Sequence, residues 1–216
     1  MKSVLVVGMG RFGRHLAGKM IELGNEVMVV DQDENIIQDL PNIYTDSHIG
    51  DCTNENVVRS LGVNNFDICF VTIGENFQSS LVITSLLKKC GAKYVCTKAS
   101  QDIQAEFLMK IGADEVVYPE REIAEKLAIR HNAKNIFDYI QLTSEYSLYE
   151  IPIIPSWAGQ TVAAVNVRKK YRVNIIAIKH DNLLDPLPGG DYVFCEGDHI
   201  VVIGTSSDVF RLTSKT

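Results

Sequence analysis

A glycine-rich hexapeptide stands between a short apolar run and a stretch with helical periodicity. The run is Val4–Val7, and the segment that follows it reads Gly8-Met9-Gly10-Arg11-Phe12-Gly13, with the spacing G-x-G-x-x-G. After a strand and before a helix, this spacing permits a tight turn, close approach of a pyrophosphate and close helix–strand packing. Amides at the start of the helix then bind phosphate oxygens. The chain is therefore predicted to begin with a dinucleotide-binding unit.

A carboxylate ends the second apolar run, Val27–Val30, at the distance from the loop that such a unit requires. This residue is Asp31, which Gln32 follows. A carboxylate here accepts hydrogen bonds from ribose hydroxyls, and it disfavours NADP because it repels a 2′-phosphate. The alternative is a glycine turn with an unrelated aspartate. Inside the loop, Arg11 either pairs bidentately with an anion, its own ligand or a neighbouring subunit's, or is solvated.

Apolar runs and helical segments alternate over the first 120 residues. The predicted strands are Val4–Val7, Val27–Val30, a weaker one ending at His48–Gly50, Ile68–Thr72, Tyr94–Thr97 and Glu115–Tyr118. The predicted helices are Phe12–Leu23, Glu34–Leu40, Glu55–Leu61, Phe77–Cys90 and Ile103–Ile111. Nearly continuous apolar strands are typical of a parallel sheet that is buried on both faces. The alternation predicts an α/β fold, a Rossmann-like doubly wound parallel sheet.

Further binding residues are predicted where the later strands end, because open α/β sheets bind ligands at that edge. They are Asp51, Cys52, Thr72, Ile73, Gly74, Asn76, Lys98 and Glu120. Asp51, beside the expected adenine, either accepts from an exocyclic amine or caps the next helix. Glu120 is either a carboxylate favoured by a helix start or a ligand for a cation near the phosphates.

The pattern changes in the last third of the chain. A helix over Glu120–Asn132 either caps the sheet or leads away as a linker or dimer arm, and a short helix over Ile136–Ile140 is predicted next. Strands follow at Tyr146–Ile153, Val173–Lys179 and His199–Gly204, with short helices at Val167–Tyr171 and Asp208–Leu212. We therefore expect residues 1–133 to form the first domain, including a crossover helix, and residues 134–216 to form a smaller α+β domain.

The composition excludes several classes of protein. A net charge of −6 argues against nucleic-acid binding, which needs clustered lysine and arginine. The five cysteines include no C-x-x-C pair, so reduced thiols in a cytosolic protein are expected rather than a zinc site or disulfides. No signal peptide or membrane-spanning run is recognisable, so a membrane would matter only through a partner.

Two alternative functions share the glycine loop. One is an NAD-dependent oxidoreductase, although no catalytic motif is present, and His180 and His199 are expected to be solvated surface residues. The other is a redox-sensing transcriptional regulator, which would need a helix-turn-helix with a basic face. The only basic cluster, residues 168–172, lies on one short predicted helix.

Several short motifs follow one another in a recognisable order. They are the glycine loop, Asp31, Gly50-Asp51-Cys52-Thr53, Ile73-Gly74-Glu75-Asn76, Lys98-Ala99, Ile111-Gly112-Ala113-Asp114 and Tyr118-Pro119-Glu120-Arg121, then residues 142–147, 167–171 and 176–179. Together they resemble the RCK (KTN, TrkA-like) domains that regulate potassium channels and transporters, in particular the cytosolic Ktr-type subunits of bacterial potassium uptake systems. The resemblance covers nearly the whole chain.

The resemblance implies a cytoplasmic regulatory subunit rather than an enzyme. Such subunits form homodimers that assemble into an octameric ring under a membrane-embedded potassium-translocating subunit. ATP and ADP, and in some members NAD(H), compete for the glycine loop, and ATP favours conduction. By the same resemblance Arg11 contacts the terminal phosphate from a neighbouring subunit, Asp31 binds the ribose and Glu120 holds Mg²⁺ or Ca²⁺. The C-terminal domain is implied to sense a second ligand, cyclic di-AMP, at Asn174–His180 with Pro186–Pro188.

Overall fold

The chain forms two compact units, Met1–Arg121 and Glu122–Thr216. The computed structural model describes residues 1–74, 76–132, 136–181 and 183–214. The expected domain boundary between residues 133 and 134 lies outside the described residues. The two units are described separately below.

The first unit is built on a parallel sheet of six strands. They are β1 (Ser3–Val7), β2 (Glu26–Asp31), β3 (Asp46–Ile49), β4 (Ile68–Val71), β5 (Val95–Lys98) and β6 (Glu115–Val117). The strand order is β3-β2-β1-β4-β5-β6, and every pairing is parallel. Strands β2 and β3 are added on one side of β1, and strands β4 to β6 are added on the other side. The boundary between β1 and β4 is therefore the switch point at which doubly wound sheets bind ligands. The predicted fold class is confirmed.

Helices cover both faces of this sheet. They are α1 (Arg11–Glu22), α2 (Glu34–Gln38), α3 (Glu55–Ser60), α4 (Phe77–Lys89) and α5 (Asp102–Lys110). Helix α6 (Pro119–Asn132) follows β6, and the division between the two units falls after its third residue. Alternate residues of β1 enter different cores, because successive side chains of a strand point to opposite faces. Val4 and Val6 pack with Ala17 on one side, and Leu5 and Val7 belong to the larger cluster on the other. This two-sided burial explains the continuous apolar run in the sequence.

The second unit contains an antiparallel sheet in the order β10-β9-β11-β8-β7. Its strands are β7 (Asp138–Gln141), β8 (Tyr146–Pro152), β9 (Asn174–His180), β10 (Leu183–Asp185) and β11 (His199–Thr205). Its short helices are α7 (Val162–Val165), α8 (Val167–Tyr171) and α9 (Ser206–Thr213). Tyr149, Trp157 and Phe194 are buried in its core.

The helix predicted at Ile136–Ile140 is wrong, because residues 138–141 form strand β7. This strand pairs with β8, so that Tyr139 lies opposite Tyr149 and Ile140 opposite Leu148. The two tyrosine rings lie 5.2 Å apart between centroids. A short apolar run fits helical and extended periods equally well, and here the pairing with a neighbouring strand decides between them.

Candidate functional site

The glycine loop is shaped by two positions that tolerate no side chain. Gly8 has a φ of 99°, in the left-handed region, and its amide donates to the Val30 carbonyl at 2.8 Å. A Cβ at Gly13 would collide with the carbonyl oxygen of Gly8 and lie 2.8 Å from Thr72 Oγ1. The first turn of α1 therefore packs directly against the end of β1, as the spacing of the glycines predicts.

The N-terminus of α1 is arranged to receive an anion. Gly10 occupies the N-cap position, and among the described residues no side chain caps the helix there. The first turn of α1 also contains no acidic residue, and a Cβ at Gly10 would meet nothing within 4 Å. Unsatisfied amides and the positive end of the helix dipole favour a phosphate in such a place.

Asp31 fixes the loop to the end of β2. Its Oδ2 accepts from the amide of Met9 at 2.6 Å, and its Oδ1 accepts from the amide of Asp33 at 3.0 Å. The carbonyl of Met9 accepts in turn from Arg14 Nε at 2.9 Å, while the Met9 side chain is buried. A carboxylate has about four acceptor positions, so Asp31 keeps capacity for ribose hydroxyls. Met9 can contact a ligand only through its backbone.

Lys98, at the end of β5, joins three of the predicted site residues. Its Nζ lies 2.5 Å from Glu120 Oε1 and 5.7 Å from the centroid of the Phe12 ring. A Cβ on Gly74 would lie 3.2 Å from the same nitrogen. The hydrogen bond from Lys98 outweighs partial burial and, with a weaker effect of Arg11, holds the pKa of the Glu120 carboxyl below its usual value. Sequence reasoning placed Lys98 and Glu120 at one edge but did not foresee that they bond.

Thr72 and Ile73 connect the end of β4 to the loop. The Thr72 hydroxyl lies 2.5 Å from the Gly8 carbonyl oxygen and 3.1 Å from that of Val7, and the residue is buried. Ile73 lies against Gly8, where a Cβ would come within 2.9 Å of Ile73 Cγ1. Both side chains therefore contact the backbone of the glycine loop and help to fix its conformation.

The remaining predicted residues are engaged in local structure. Asp51 Oδ1 accepts from the amide and the hydroxyl of Thr53, while Asn54 caps α3. The Asn76 side chain caps α4 by accepting from the Ser79 amide at 3.0 Å.

Burial, with Asp51 and Asp31 nearby, raises the pKa of the Cys52 thiol to about 12. Cys52 therefore stays protonated at neutral pH and supplies no nucleophile. The side chains of Gln32 and Arg11 are exposed.

The side chains that the structure describes do not form a metal site by themselves. Within residues 1–74, 76–132, 136–181 and 183–214, no three His, Cys, Asp or Glu residues are grouped to hold a metal ion. The carboxylate of Glu120 is 70% exposed and bonded to Lys98. A divalent cation there would need further oxygen ligands, such as nucleotide phosphates or a second chain.

None of the helices in the described part of the chain is both long and apolar enough to cross a membrane.

The second unit contains a buried carboxylate that the sequence did not reveal. Asp198 is fully buried and accepts from Tyr192 Oη at 3.0 Å and from the Cys195 amide at 2.8 Å, while His180 Nδ1 lies 2.6 Å away. His199 Nδ1 similarly lies 2.9 Å from Glu150 Oε1. His180 is exposed, as expected of a surface histidine, whereas His199 is partly buried, and strand pairing brings each ring to a carboxylate that the sequence did not reveal. Burial and Asp198 also raise the pKa of Tyr192 to about 12.

The two stretches implied for cyclic di-AMP lie close to each other. Asn174–His180 is strand β9, and residues 186–188 follow β10, which pairs with β9. Leu183 and Leu187 beside this turn are exposed, and Asn174 Oδ1 accepts from the guanidinium of Arg168. The role of this region stays a prediction.

Comparison with known proteins gives the class of this chain. The model of the TrkA-N domain matches residues 4–119, and that of the TrkA-C domain matches residues 148–215. The Ktr system potassium uptake protein C of Bacillus subtilis (strain 168) is 38% identical over 214 residues, which are 99% of this chain and 97% of the relative. The chain therefore belongs to the TrkA-like (RCK) family of Ktr-type potassium uptake proteins, and the resemblance found in its motifs is confirmed.

Solved structures show the same fold. A structure described as the GsuK channel bound to NAD superposes with a TM-score of 0.70 and 19% identity, covering 99% of this chain and 39% of that chain. A structure of GsuK bound to ADP superposes with a TM-score of 0.55 and 18% identity, covering 62% of this chain and 35% of that chain. This chain thus spans less than half of the channel subunit, and the likeness concerns the fold alone.

Proposed function

We propose that the chain is a nucleotide-sensing regulatory subunit, not an enzyme, which gates a membrane-embedded potassium transporter from the cytoplasm. It binds ATP and ADP, or NAD(H), at the glycine loop. The observation that carries this proposal is the uncapped N-terminus of α1 beside a loop that Asp31 holds in place. The match to a Ktr protein over 99% of the chain supports the transporter partner. The NAD and ADP bound by GsuK support the ligand class.

The proposed assembly is a homodimer that associates into an octameric ring. In it, the exposed Arg11 contacts the terminal phosphate of a nucleotide held by a neighbouring subunit, so that ATP and ADP produce different contacts. Glu120 contributes to a site for Mg²⁺ or Ca²⁺ between facing phosphates. We also propose cyclic di-AMP as the ligand of β9 together with the turn after β10, and a functional division into residues 1–133 and 134–216.

The test is isothermal titration calorimetry of the full chain with ATP, ADP, NAD and NADH, using Asp31→Asn. The asparagine keeps an oxygen for the Met9 amide but loses the charge that ribose hydroxyls would meet. We expect all adenosine ligands to weaken by about 1.5–3 kcal/mol, the range for hydrogen bonds to a charged group.

Asp39→Asn is the matched control, because Asp39 is an exposed carboxylate just after α2. The melting temperature without nucleotide shows whether either variant changes the fold. An Asp31→Asn variant that binds ATP as tightly as the wild type would refute the assignment. Oxidation of NADH by the chain with a small-molecule substrate would favour the dehydrogenase alternative.

A further inference from the structure

The ammonium of Lys98 lies between two parts of the proposed nucleotide site. On one side it bonds to Glu120, in the first turn of α6, and on the other it lies over the ring of Phe12, in the glycine loop. The Lys98 side chain is only 11% exposed, whereas that of Glu120 is 70% exposed. A largely buried ammonium requires an anionic partner, while the exposed carboxylate can be solvated if it loses its own.

A phosphate bound at α1 would bring a second anion to this lysine. The free amides that favour the phosphate begin at Gly10 and Arg11, next to the Phe12 ring that Lys98 covers. If one ammonium held both anions, carboxylate and phosphate would lie close together and repel each other. The buried ammonium would therefore pair with the more highly charged of the two.

We propose that Lys98 exchanges partners, pairing with Glu120 in the empty chain and with the outermost phosphate of a bound nucleotide in the loaded chain. The proposal rests on the proposed function and names how the same site signals. Helix α6 starts in the first compact unit and continues into the second, with the division after Arg121. Releasing Glu120 removes one of the bonds that hold the first turn of α6. The binding of a nucleotide is thereby passed to the helix that joins the units.

The experiment compares Glu120→Gln, Lys98→Gln and the double variant, titrated calorimetrically with ATP and ADP in the presence of a chelator. Asp102→Asn is the matched control, because Asp102 pairs with Arg121 at 2.6 Å and thus holds the same helical turn without touching Lys98. We expect Glu120→Gln to tighten ATP binding about fivefold, since Lys98 no longer has to leave a carboxylate. Lys98→Gln should weaken ATP binding, and adding Glu120→Gln to it should change nothing further.

Hydrogen exchange of the amides of residues 120–125 gives an independent readout. ATP should accelerate exchange there in the wild type and in Asp102→Asn, but not in Lys98→Gln. Unchanged or weaker ATP binding by Glu120→Gln, or additive effects in the double variant, would overturn the exchange of partners. A wild-type chain that binds no adenine nucleotide would instead overturn the nucleotide site itself.

Discussion

In the first unit the glycine loop of the candidate site is shaped by backbone groups and small residues, whereas in the second unit buried polar groups are held by networks of side chains. The space proposed for a phosphate is bounded by the Gly8 carbonyl, the Met9 amide and the uncapped first turn of α1 after Gly10. In the second unit, Asp198 and Glu150 each gather donors from separate strands or turns. The first unit should therefore be sensitive to added atoms, and the second to removed ones.

The largest effect is expected from Asp198→Ala. This change removes a fully buried carboxylate and leaves the partly buried Tyr192 hydroxyl and the Cys195 amide without their acceptor, so the free energy of unfolding should fall by about 3–5 kcal/mol. Urea unfolding followed by fluorescence reports on this unit, because Trp157 is the only tryptophan of the sequence and lies in its core.

Asp191→Ala controls for the loss of an aspartate from the same region. Asp191 is exposed, so its removal should change the free energy of unfolding by less than about 0.5 kcal/mol. If Asp198→Ala were as mild as this control, the second unit would not depend on its buried network, and the contrast between the units would fail.

A smaller loss of stability is expected from Gly13→Ala in the first unit, which adds an atom instead of removing a side chain. Its Cβ would collide with the Gly8 carbonyl oxygen, which is backbone and cannot rotate away, so we expect destabilisation by about 2–3 kcal/mol. Gly18→Ala is the control in the same helix, where a Cβ meets nothing within 4 Å and should stabilise by about 0.5–1 kcal/mol. Thermal unfolding followed by circular dichroism measures both. Equal stability of the two variants would show that close packing at the loop is not required.

The difference between the two units also explains which structural features could be predicted from the sequence. The strands and helices of the first unit, the glycine loop and the ligand-binding sheet edge depend on local periods and on glycines at fixed spacing, so they were predictable. The bond between Lys98 and Glu120 joins residues 22 apart, and only the packed geometry shows it. In the second unit, the contact of His180 with Asp198 depends on how the strands pair, which no local pattern contains. Strand β7 was missed for the same reason.

The smallest expected effect is a pH dependence that involves Glu150. Its carboxylate accepts from Lys179 Nζ at 3.0 Å and lies 2.9 Å from His199 Nδ1. Burial raises the pKa of Glu150, but the hydrogen bonds of His199 and Lys179 outweigh it, and the net pKa lies below the ordinary value of 4.5. A lowered pKa in the folded state means that the unfolded chain takes up this proton first as the pH falls. The stabilisation is therefore complete above about pH 4.5 and is lost below it, as the pH falls through the folded-state pKa.

We expect this term to be about 1 kcal/mol or less, the range for a partly exposed ion pair. The measurement is the free energy of unfolding from urea titrations at several pH values between about 6 and 3, followed by Trp157 fluorescence, for the wild type and Glu150→Gln. Because the other carboxylates titrate in the wild type and in the variant alike, the difference between the two stability curves isolates the contribution of Glu150. That difference should be constant above the window and shrink within it, whereas Glu196→Gln, which alters an exposed glutamate of the same unit, should show no such change. A Glu150→Gln curve parallel to the wild type throughout would mean that the ionisation of Glu150 does not contribute to the pH dependence of stability.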